Sequence, residues 1–133
     1  MSELVAPEIG PQQMDAILRF LPIFERQTHF GEWVTPEGQF PYFSYDAAVS
    51  EFVGLLGEHE IMVVFDWPSW SDTAKQYEAD SRALATADLL TLRKLLTTHV
   101  RADRFTEGHL ASVLESGHLT AILRRLKQIR DAL

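Results

Sequence analysis

Apolar residues recur at helical spacing over most of the chain, and the places where that rhythm fails mark the joints. Met14, Ile17, Leu18 and Leu21 predict a helix from Gln12, with Pro11 suited to its first position. Pro22 removes a backbone donor and ends or kinks it, leaving Phe24 in a short second piece. Between Thr28 and Phe43 the rhythm lapses. Gly31, Pro36, Gly38 and Pro41 alternate there with Phe30, Trp33, Phe40, Tyr42 and Phe43, which predicts a loop with short extended pieces whose aromatics fold back onto the core or line a pocket.

Helical spacing returns with Tyr45, Val49, Phe52, Val53 and Leu56, so Ser44 is the expected N-cap and Gly57 the expected stop. Ile61-Met62-Val63-Val64-Phe65 is a β-branched apolar run, expected to be extended and paired with part of residues 30–43. Asp66 and Pro68 open a helix over about Ser69 to Ala79. Leu89, Leu92, Leu95, Leu96 and Val100 define a helix that begins near Thr86 or Asp88. Leu110, Val113 and Leu114 define a short one, with Thr106 as its cap and Gly117 at its end. Leu119, Ile122, Leu123, Leu126, Ile129 and Leu133 define the last. The expected fold is mainly α: a compact domain of five or six helices over residues 11–133, with an irregular aromatic segment, a small β element and a flexible lead-in over residues 1–10.

Composition narrows the chemistry. A chain of 133 residues with 46% hydrophobic and 23% charged residues is a globular domain with enough core to fold unaided. It has no cysteine, which excludes disulfides and thiolate chemistry. No stretch approaches the roughly 18 apolar residues of a membrane span, and no basic-then-apolar leader opens the chain, so the expected location is cytoplasmic, away from membranes. The net charge of −7 is unevenly distributed: residues 1–88 carry 4 Lys or Arg against 15 Asp or Glu, and residues 89–133 carry 8 against 4.

The densest polar chemistry is Arg101-Ala102-Asp103-Arg104-Phe105-Thr106-Glu107-Gly108-His109, set between two apolar helical patterns. Two readings fit it. Arg101 and Arg104 can pair with Asp103 and Glu107 in a structural network in which Phe105 plugs the core. Alternatively, the carboxylates and His109 do acid–base work while an arginine orients an anion. His99, His109 and His118 stand nine and ten residues apart, outside the spacing that places two ligands on one helical face, so no metal or cofactor is predicted. Trp67 and Trp70, three apart on one helix, are either core anchors or a wall for a flat ligand. Arg124, Lys127 and Arg130 form a basic stripe after a helix–turn–helix-like spacing, yet the negative net charge weighs against nucleic acid.

The same residues carry a resemblance. With Leu96-Thr97, Ser116-Gly117, Leu123-Arg124-Arg125-Leu126-Lys127 and, upstream, Asp66-Trp67 and Trp70, the central stretch resembles DUF6508, a bacterial family of uncharacterised small proteins. The resemblance implies a bacterial origin and a domain boundary, and supplies no mechanism. The expected function is a non-catalytic protein-binding or regulatory module, with a protein partner or a second copy as ligand. A small enzyme or ligand-binding protein using Arg101, Asp103, Arg104, Glu107 and His109 is the alternative, and nucleic-acid binding the third.

Overall fold

The computed structural model describes residues 3–133. Eight helices and one hairpin follow in order among them: α1 (Pro11–Leu18), α2 (Leu21–Arg26), β1 (Gly31–Val34), β2 (Tyr42–Tyr45), α3 (Ala47–Glu58), α4 (Trp67–Ala79), α5 (Ser81–Ala85), α6 (Leu89–Asp103), α7 (His109–Glu115) and α8 (His118–Asp131). The mainly α architecture with a small β element is as the periodicity predicts; α2 is the short piece expected after Pro22, and α5 is the helix the pattern did not predict. None of these helices is long and apolar enough to cross a membrane.

Capping explains most boundaries. Pro11 and Pro22 occupy first-turn positions of α1 and α2, where a missing N–H costs nothing. Asp46, Asp66, Asp80 and Asp88 each accept a backbone N–H from the first turn of the helix that follows. Gly108 and Gly117 start α7 and α8 in the left-handed region, which glycine enters without penalty.

Three local expectations are corrected. Asp46, not Ser44, caps α3, its Oδ1 taking the Val49 N–H at 3.1 Å. Ser44 and Tyr45 instead belong to β2, paired with Glu32 and Gly31 in an antiparallel register that sets Trp33 opposite Phe43. Thr106 does not cap α7: its carbonyl accepts the His109 N–H while its side chain stands in solvent. Residues 61–65 form no strand with residues 30–43. Val64 bridges Val5, the Val63 N–H goes to Thr97 Oγ1 at 3.0 Å, and Arg93 takes the Glu60 and Ile61 carbonyls. Side chains of α6 thus satisfy the backbone groups that a ladder would have used.

The core is one apolar cluster to which every helix contributes. Helix α6 lies at its centre, packed by α4, α7 and α8, while α8 also receives α1, α2 and α5. Phe20, Phe24, Phe30 and Phe52 interlock at 5.3–6.1 Å under the start of the hairpin. Such pairs contribute beyond the area they bury.

Candidate functional site

The polar stretch holds the hairpin. Helix α6 ends at Asp103, so Asp103 and Glu107 do not share a helical face, but both carboxylates turn towards β2. Asp103 Oδ1 accepts the Tyr45 phenol at 2.6 Å and the Leu110 N–H at 2.9 Å, while the Tyr45 oxygen accepts the Ala111 N–H at 3.1 Å. Glu107 Oε2 accepts the Phe43 N–H at 2.9 Å. Period-2 alternation puts Trp33, Phe43 and Tyr45 on one face of the hairpin, where their rings meet at 5.5 and 4.8 Å. That face rests on Gly108. A Cβ there would stand 3.1 Å from Trp33 Cζ2, and φ is +78°, so glycine serves both the turn and the approach. Burial, then the hydrogen bond to Asp103, pushes the Tyr45 phenol well above its usual pKa and keeps it a neutral donor.

The expected arginine–carboxylate network does not form. Among the described residues neither Arg101 nor Arg104 has a carboxylate within salt-bridge distance. The fold aims N–H groups and a phenol at the carboxylates, whereas pairing two long solvated side chains is worth only about 0–1 kcal/mol. Phe105, expected in the core, is 79% exposed beyond the end of α6 and leans on Trp67 at 5.9 Å.

Tertiary folding does gather the three histidines. His99 Nδ1 and His109 Nε2 are 3.1 Å apart, and the His118 ring stands edge-on to His99 at 5.2 Å. Among the described residues no three His, Asp or Glu are placed to hold a metal ion. Burial, then the neighbouring His118 and His109, lowers the His99 pKa to about 3; burial also lowers that of His118, opposed by Glu78. The His99 ring therefore stays neutral in the fold but takes a proton when unfolded, and the His118 shift runs in the same direction. For His99 that difference opens below its ordinary value of 6.5 and closes near 3. Stability should be full above that window and fall as pH drops through it, by at most about 1.4 kcal/mol per unit for each ring. Urea midpoints at pH 7 and pH 5 check this: the wild type should lose stability and His99→Gln should lose less. Parallel slopes would remove His99 as the cause.

Trp67 and Trp70 do not make one wall. Trp70 packs half-buried against Phe65 at 5.8 Å and Tyr77 at 6.2 Å, under the Lys94 ammonium, while Trp67 goes to Phe105. Each member of the basic stripe has an acid: Arg124 has Glu25 at 3.7 Å, Lys127 has Asp131 at 2.7 Å, and Arg130 grips both oxygens of Asp15 at 2.9 and 3.2 Å. Two residues that periodicity did not single out organise the region. Helical spacing places Tyr45 at the start of a helix, whereas it ends β2. Arg93 interrupts the apolar run of α6, which was its only mark.

Beside Tyr45 opens a cleft of about 290 Å³, lined by Val49, Ser50 and Val53 of α3, by Val100, Asp103 and Arg104, and by Leu110. Half of that lining is aliphatic.

The geometry defines a small, mainly helical domain in which a two-stranded aromatic hairpin is fastened to a helix–turn–helix end by two carboxylates. The chain belongs to the family of unknown function DUF6508, which matches residues 9–132. No curated protein and no solved structure matches it.

Proposed function

We propose that the protein is a non-catalytic protein-binding module of the bacterial cytoplasm, and that the partner its surface fits is a second copy of the chain. The observation that carries this reading is where the aromatics stand once Asp103 and Glu107 have fastened the hairpin. Phe40 is 94% exposed, Phe105 79% and Trp33 57%. Exposed apolar groups on the hairpin and just beyond α6, the two parts that these carboxylates tie together, mark a contact surface. The groups beside them are complementary: Glu32 and Glu37 flank the hairpin aromatics, and Arg101, which has no carboxylate partner among the described residues, lies one turn before Phe105. A two-fold pairing sets the Glu37–Phe40 tip of one protomer on Arg101 and Phe105 of the other, and the reverse contact follows by symmetry.

An acid–base role and nucleic-acid binding find less support: His109 is engaged with His99, and the basic stripe is neutralised by acids of its own chain. Burying an exposed phenylalanine is worth about 1.5–3 kcal/mol. With four in a two-fold contact, association should be weak and reversible, so sedimentation is followed from about 10 µM to about 1 mM. The expected result is a concentration-dependent dimer that Phe40→Ser and Phe105→Ser each abolish without changing the melting temperature, and that Arg101→Glu weakens. A monomer across the whole range, or a dimer indifferent to both serine variants, would overturn the proposal.

A further inference from the structure

The cleft beside Tyr45 has a chemistry that hairpin docking leaves unused. Its apolar part is made by Val49, Val100 and Leu110, all buried, and by the half-buried Val53. Next to that part stand two opposite charges on consecutive residues. Among the described residues Asp103 carries all its protein hydrogen bonds on Oδ1 and none on Oδ2; since Oδ2 is not among the buried unpartnered atoms, it reaches solvent. Arg104 is exposed, and among the described residues it has no carboxylate within reach and the Ser50 hydroxyl on the facing helix has no protein partner. Neighbours of opposite charge usually neutralise each other. Here Asp103 is turned by Tyr45 and the Leu110 N–H, so its free oxygen and the guanidinium remain separate anchors.

We infer that this cleft binds a small aliphatic α-amino acid, with the ammonium on Asp103 Oδ2, the carboxylate on the Arg104 guanidinium with Ser50, and the side chain among Val49, Val53, Val100 and Leu110. Both charged residues line the cleft beside its aliphatic wall, so a molecule carrying an ammonium, a carboxylate and an apolar side chain meets a partner for each, and charge-assisted hydrogen bonds to both ends give the pair its selectivity. The remaining polar wall agrees with this. The Tyr45 oxygen, which donates to Asp103 and accepts from Ala111, keeps one lone pair for a second ammonium hydrogen. The volume of about 290 Å³ holds a side chain of leucine's size and lies at the small end of ligand sites. The acidic net charge is no obstacle, because a zwitterion carries none.

Amide chemical shifts of the full chain, followed during titration with free leucine, test the inference. Saturable shifts are expected at Ser50, Val53 and Arg104, about ten-fold or more weaker with 4-methylpentanoate, which lacks the ammonium, and with 3-methylbutylamine, which lacks the carboxylate. Arg104→Ala should lose binding at an unchanged melting temperature. Asp103→Asn keeps the Oδ1 acceptor for Tyr45 but should lose the ammonium contact. Val53→Trp fills a half-buried site from its rim and should abolish the shifts. Absence of saturation, equal response to 4-methylpentanoate, or shifts that persist in Val53→Trp would each overturn the proposal. Loss of self-association by Phe40→Ser leaves these readouts untouched, so the two proposals fail separately.

Discussion

Replacing Arg93 with leucine should lower stability by about 3–5 kcal/mol, the largest effect expected of any single polar side chain in the domain. Arg93 lies within α6 and is only 6% exposed. Its guanidinium donates to three carbonyls from two separate segments: Ile61 at 3.0 Å, Glu60 at 2.9 Å and Pro7 at 2.7 Å. No regular sheet or helix holds those segments, so the arginine substitutes for one. Leucine would match the apolar surroundings but leave three acceptors without donors, and each such loss carries a desolvation penalty. Lysine should rescue little, because one ammonium cannot reproduce the fork that spans Nε and Nη2. Thermal melts should shift down by about 10 °C or more. Amide exchange should quicken first at Val5 and Val64, whose bridge adjoins the carbonyls that Arg93 holds. A loss below about 1 kcal/mol would mean that water serves these carbonyls equally well.

Arg93 also shows where sequence pattern stops informing. Periodicity finds α6 and α8 because a helix in water must segregate apolar residues onto one face; an aspartate cap marks the start of α6 and a glycine that of α8. It cannot reveal that a long run such as Ile61 to Phe65 will stay irregular, since that depends on whether distant side chains satisfy its backbone. Arg93 and Thr97 do so from more than thirty positions away. The hairpin was hidden for a related reason. Tyr45, Val49 and Phe52 keep helical spacing across a strand end, a cap and a helix, so the pattern alone runs the three together. The stretch from Arg101 to His109 was legible as important, but its pairing was not. Composition puts arginine beside carboxylate, whereas the fold turns the carboxylates towards backbone N–H groups and a phenol from residues about sixty positions earlier.

That choice of partners separates two carboxylates that the sequence treats alike. Asp103→Ala should cost about 2–4 kcal/mol and Glu107→Ala less than about 1. Asp103 is half-buried and serves two donors, the Tyr45 phenol and the Leu110 N–H, so alanine strands both in a site that neither can leave. Glu107 is exposed and serves one backbone donor of the hairpin, which water can reach once the carboxylate is gone. Tyr45→Phe should fall between them, removing the phenol's donation and the acceptor of the Ala111 N–H. The Asp103→Ala and Tyr45→Phe losses should then be non-additive, since the first removes the partner of the second. Melts of the three single variants and the double variant decide the matter. Equal losses at Asp103 and Glu107 would mean that the hairpin is held by charge near the turn, not by directed hydrogen bonds. A gain in stability at Asp103 would mean that the fold carries this carboxylate at a cost, which a ligand on its free oxygen would explain.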